Sequence, residues 1–220
     1  MERLTLGKMQ NPIRGFLHGG AALASLVGLI LLVYRAQGNA TARLGALVFG
    51  TALIVMYTIS TLYHSFPWGE TWKRRLQRLD HSAIYLVVAG TFTPVAIASL
   101  RGATLAVGLI LVWAIAVTGI MLKVFLPDVA TWLSITLQMV MGWLAIIWIP
   151  QILTTLGVVG LTLIALGGAS YIAGVVVFTT KRPRLAPRSF SYHELFHVMV
   201  ILGSLLHYLA VFVYAIPAVG

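Results

Sequence analysis

The sequence predicts an all-α membrane protein: a bundle of seven transmembrane helices with a cytoplasmic N-terminus and an extracytoplasmic C-terminus. Three observations predict it: an apolar composition, seven apolar stretches of spanning length, and an uneven placement of the basic residues. Of 220 residues, 60% are hydrophobic and 9% are charged. Soluble domains carry roughly 25% charged residues, so the composition belongs to the membrane class. The chain has no cysteine. That excludes a disulfide framework and thiolate metal sites, and leaves His, Asp and Glu to hold any transition metal.

A crossing takes about 20 largely apolar residues, and seven stretches meet that length: 15–35, 44–66, 80–100, 103–125, 131–151, 156–179 and 192–216. The first is too long for the ~7–15-residue apolar region of a cleavable leader and is expected to be retained. The third and fourth are joined by a tight turn at Arg101-Gly102. The fifth and sixth are separated by an uncharged turn containing Pro150, Gln151, Thr154 and Thr155. No Pro-rich or Gly/Ser linker and no clear repeat divides the chain, so residues 1–220 are expected to form one domain.

Charge sets the orientation. With the N-terminus inside, the cytoplasmic face collects Arg3, Lys8, Arg14, Lys73, Arg74, Arg75, Arg78, Lys123, Lys181, Arg182, Arg184 and Arg188. Only Arg35, Arg43 and Arg101 of the 15 basic residues fall outside, as the positive-inside rule requires. The formal net charge of +10 thus faces the anionic lipids of the cytoplasmic leaflet. Membrane lipids, and no nucleic acid, are the expected partners.

Ionisable residues within spans are costly and mark functional sites. "STLYH" places Ser60 and His64 at i and i+4 on one face at the cytoplasmic end of the second helix. "RLDHS" places Asp80 and His81 at the start of the third, and "SYHELFH" places His193 and His197 on one face at the start of the seventh. Three helices distant in sequence therefore bring polar groups to one membrane level, which the Lys/Arg topology did not use. Three neutral imidazoles bind zinc tetrahedrally with the fourth position left to water. Zinc lowers the pKa of such a water towards ~7. Asp80 is placed to order that water or take its proton, and Ser60 to hydrogen-bond the metal shell, Asp80 or a substrate carbonyl.

Single histidines at helix ends are ordinarily interfacial groups, and His18 and His81 take that reading. His207 lies on nearly the face of His193, but 14 residues put it about 21 Å further along the axis, too far to share a metal. A hydrogen bond to another helix is expected for it. The letters H-E-L-F-H also spell the HExxH signature of zinc proteases. Glu194, however, is rotated about 100° from His193 while His197 is only about 40° from it, which weakens Glu194 as a base.

"SxxxH" closing helix 2, "LDHSAIYLVVAGTFTP" opening helix 3 and "HELFHVMVILGSLLHY" opening helix 7 together resemble the hemolysin III proteins. These are the bacterial branch of the progestin and adipoQ receptor family, which includes the adiponectin receptors. The likeness covers nearly the whole chain, and "GFLHGGAA" is similar to the family's first helix. It implies His64, His193 and His197 as zinc ligands, Asp80 as a residue contacting zinc through water, and Ser60 as the motif serine. It also places His207 at a family histidine that is not a ligand. It implies residence in the bacterial plasma (inner) membrane. With about 14 residues before helix 1, no soluble receptor domain is expected.

Four functions compete. A zinc-dependent hydrolase of a lipid amide or ester, its substrate entering sideways from the bilayer and its role in membrane-lipid homeostasis, leads. It follows from three His ligands with an open fourth position and from the resemblance to receptors linked to ceramidase-like chemistry. A non-enzymatic lipid sensor or regulator with structural zinc is second. A cytolysin is disfavoured by ordinary spanning helices, and an intramembrane metalloprotease by leaving His64 without a purpose.

Overall fold

The computed structural model describes residues 9–126, 129–186 and 189–219. Arg3, Lys8 and Arg188 of the charge argument lie outside the described residues. The named elements are all helical: α1 (Pro12–Arg35), α2 (Ala40–Ser65), α3 (Glu70–Ser99), α4 (Gly102–Phe125), α5 (Thr131–Trp143), α6 (Ile149–Thr180) and α7 (Tyr192–Ala210). A 3₁₀ segment, Leu144–Trp148, joins α5 to α6, and α7 runs on through a π turn, Val211–Ala215, to Ala218.

Local chemistry explains most of the ends. Pro12 opens α1, where its missing N–H is not needed. Asn39 caps α2 by accepting from the Ala42 N–H at 2.9 Å. Helix α3 begins ten residues before the expected position 80. The stretch 70–79 is polar and basic, so hydropathy passes over it, yet its residues are good helix formers and Glu70 favours the first turn.

The expected turn at Pro150–Thr155 is not where the chain breaks. Pro150 sits in the first turn of α6, where proline is tolerated, and Thr154 Oγ bonds back to the Pro150 carbonyl at 2.8 Å in ordinary helical fashion. The break falls at Gly157, with φ 69° and ψ 179°, joining two helices across a kink. That backbone region is essentially glycine-only. By length and composition, six helical runs among the described residues can cross a membrane, one of them the 50-residue run Thr131–Thr180. The expected separate spans 131–151 and 156–179 are thus parts of one interrupted helical run.

Helix α3 is the centre of the bundle: 72% of its apolar window is buried inside the protein, against 22% for α1 and for α4. Its inner face carries small residues such as Ala83, Ala89 and Gly90, and a Cβ at Gly90 would press on Ala52 of α2 at 2.7 Å. Large apolar side chains on the outer helices point outward, among them Leu23 and Ile30 of α1 and Ile110 of α4. Water would not tolerate such a coat, whereas hydrocarbon is its natural surrounding. The protein is a multi-pass membrane protein.

Helix α1 lies along α7, and four pairs give their relative direction. Arg14 meets Glu194, His18 meets His197, the Gly28 carbonyl accepts from Tyr208, and Arg35 donates to the Phe212 carbonyl. Both numbers rise together, so α1 and α7 run parallel.

Candidate metal centre

His64 is the penultimate residue of α2, and His193 and His197 occupy the first two turns of α7. The end of α2 is drawn inward by α1, where Gly15 leaves room for Ser65; a Cβ there would collide with the Ser65 hydroxyl. The three imidazoles surround one point. Ring centroids are 5.2 Å apart for His64–His193, 4.9 Å for His64–His197 and 5.0 Å for His193–His197. One nitrogen from each lies within 4.8 Å of the other two.

His64 and His197 are 4% and 1% exposed, and His193 is half-buried. Phe178 and Phe196 stand edge-on to His193. The donor set fits zinc: three nitrogen ligands, no thiolate, and a buried, orphaned Nδ1 on His197 in a region where an unmet polar atom is costly.

The centre borders a cavity of about 320 Å³ whose wall includes Ser60, Asp80, His193 and His197. Asp80, half-buried, accepts a hydrogen bond from Ser60. The fold therefore brings all five sequence-predicted site residues to one end of the bundle, with the three histidines in mutual reach and the carboxylate and serine paired beside them. His81 is half-buried on the same cavity wall. His207 behaves as expected: its Nε2 is 3.1 Å from the Ile164 carbonyl of α6.

Glu194 is engaged elsewhere. Its Oε1 accepts from Arg14 Nε at 2.7 Å and its Oε2 from the Ser191 N–H at 2.9 Å, where it completes the cap of α7. Both oxygens are committed to holding the helix start, so the carboxylate is not poised as a base.

Two groups escaped the sequence reading. His18 is not interfacial: it is 3% exposed, stacked on His197 with centroids 3.9 Å apart and planes at 22°, and edge-on to Tyr57. Arg14, counted only as a topogenic charge, is buried against Glu194. One signal was available. Arg14 and His18 are four residues apart on one face of α1, but nothing in that spacing identifies α7 as the neighbour.

Comparison with known proteins finds relatives along nearly the whole chain. A family profile described as "Haemolysin-III related" matches residues 7–208. The hemolysin-3 homolog of Bacillus subtilis (strain 168) is 33% identical over 201 residues, covering 90% of this chain and 91% of that protein. Hemolysin-3 of Bacillus cereus is 32% identical over 219 residues, covering 99% and 97%. More distantly, the monocyte to macrophage differentiation factor of Homo sapiens is 22% identical over 203 residues, covering 90% and 82%.

Proposed function

This chain belongs to the haemolysin-III related family, and from that premise we propose a zinc-dependent hydrolase of lipid amide or ester bonds, acting in membrane-lipid homeostasis. The observation that carries the proposal is the trihistidine cluster, two of its rings buried and its ligand atoms within 4.8 Å, opening on a cavity that also presents Asp80 and Ser60. His64, His193 and His197 would hold the ion. When bound, zinc supplies Lewis-acid polarisation of a carbonyl and acidification of a water.

The chain's own residues complete the chemistry. Asp80 accepts the proton of the attacking water and delivers it to the leaving amine or alcohol. Ser60, donating to Asp80, fixes the carboxylate. The half-buried rings of Phe178 and Phe196 limit the access of bulk water to the centre. The substrate class follows from surroundings: the cavity lies within a membrane bundle, and its wall between the polar groups is apolar, with Phe92, Ile164 and Val200.

The same reading includes seven spans with the N-terminus inside. A 50-residue run is ~75 Å long at 1.5 Å per residue, more than twice the ~30 Å of bilayer hydrocarbon. Reversal at Gly157 divides it into two spans. The parallel course of α1 and α7 supports this count, because the first and last of an odd number of alternating spans point the same way.

Purified protein with zinc content verified, incubated with N-acyl and O-acyl lipids, should release free fatty acid. Absence of release across both classes, with zinc bound, overturns the proposal. One observation favours a second reading, a lipid sensor with structural zinc: the cluster ties the end of α2 to the start of α7. His64→Ala separates the two. Lost turnover with the fold kept supports the enzyme, and a collapse of thermal stability supports the structural role.

A further inference from the structure

The cavity that reaches the histidine centre also reaches His207, ten residues beyond His197 on α7 and about 15 Å along its axis. A different set of polar groups gathers there. Tyr57 Oη donates to Ser204 Oγ at 2.8 Å, and Tyr171 Oη lies 2.8 Å from the same Oγ. Three hydroxyls carry three protons, and these two hydrogen bonds consume two. One hydroxyl proton is left over in the cluster, and with Ser204 Oγ donating to Tyr171 Oη it is the Tyr171 proton, the one on the cavity wall.

Beside it, the His207 ring stands edge-on to Tyr171 with centroids 5.4 Å apart. Its Nε2 faces the Ile164 carbonyl at 3.1 Å. A carbonyl only accepts, so Nε2 carries the proton, and Nδ1 of the neutral ring is a bare acceptor. That Nδ1 is buried without a hydrogen-bond partner among the described residues, on a side chain 8% exposed. The ring has no room to swing towards α6, because it packs on the bare backbone of Gly167, where a Cβ would collide with it.

A bare acceptor next to a spare hydroxyl proton is complementary to a single group that both donates and accepts. A hydroxyl is that group. We propose that Tyr171 and His207 form a second subsite of the cavity, recognising a hydroxyl about 15 Å from the polar end of a single-chain lipid. The polar end lies at the histidine centre, and apolar Val175, Phe196 and Val200 line the cavity as well, suiting the methylenes. This subsite rests on the lipid reading of the cavity given above.

The test uses the full chain, purified in detergent and loaded with zinc, and a fluorescent fatty acid that is displaced from it. Stearic acid is compared with its mid-chain hydroxylated analogue. The hydroxy acid is expected to bind about thirtyfold tighter, the worth of two neutral hydrogen bonds. Tyr171→Phe, which removes one oxygen and one of the two bonds, should cut that preference about fivefold while leaving stearic acid unchanged. Equal affinity in the wild type, as when water fills the subsite, overturns the proposal and leaves the lipid reading intact. Full preference retained in Tyr171→Phe overturns the assignment to this cluster. Failure of both acids to displace the probe overturns subsite and lipid reading together.

Discussion

Replacing Glu194 with Gln neutralises one member of a pair whose side chains are only 6% and 9% exposed. Arg14 keeps its charge and loses the charge of this partner, while the amide retains one acceptor for two donors, Arg14 Nε at 2.7 Å and the Ser191 N–H at 2.9 Å. Breaking a buried pair from one side costs about 3–5 kcal/mol, because the charge left behind stays buried after losing this opposite charge. The weakened cap adds about 1 kcal/mol at most. For a chain of this length 1 kcal/mol is worth roughly 2–4 °C, so the pair alone predicts a Tm lowered by about 6–20 °C.

The assay is thermal unfolding in detergent, run beside zinc analysis and fatty-acid release. Arg14→Met combined with Glu194→Met removes both charges and should recover most of the lost stability, since well-packed apolar pairs replace buried ion pairs at little cost. The opposite result refutes the reasoning. An unchanged Tm with zinc retained and hydrolysis abolished in Glu194→Gln would make the carboxylate a base, as the HExxH spelling suggests.

Four further outcomes follow from the same geometry. His193→Ala should lose stoichiometric zinc by elemental analysis, as the three nitrogens within 4.8 Å leave no spare ligand in the set. Asp80→Asn should keep its zinc and lose at least about a hundredfold in turnover, the usual contribution of a positioned acid–base group. His18→Ala removes the ring stacked on His197 at 3.9 Å and should weaken zinc binding about tenfold in a chelator competition, as loss of a supporting group does elsewhere. Gly157→Ala forces a Cβ into φ 69°, ψ 179° and should cost about 1–3 kcal/mol of stability in the same melting assay.

The histidine pair on α7 was legible because helical spacing is local: residues four apart share a face whatever the rest of the chain does. His64 and Asp80 were legible because a bilayer supplies an external ruler. Lys and Arg counts give an expected side for each helix end, and depth on that reading groups the polar residues. Residues 70–79 were misjudged because hydropathy measures where a chain meets lipid, whereas a helix continues wherever its backbone bonds and propensities allow. Pro150 looked like a stop and serves as a start, since proline is harmless in a helix's first turn. The actual break, at Gly157, has no composition signal beyond one more glycine among 21.

The sequence by itself determined the membrane class, the family and the three histidines that the fold brings within mutual reach, because these depend on composition, periodicity and ordered motifs. Tertiary structure alone decided which helices touch. It turned His18 from an interfacial group into a ring stacked on His197, Arg14 from a topogenic charge into the partner of Glu194, and Tyr57, Tyr171 and Ser204 into one hydroxyl cluster. The physical reason is that side-chain partnerships between helices depend on rotation and crossing about each axis. Those are set by the packing of small residues such as Gly15 and Gly167 and leave no periodic trace along the chain.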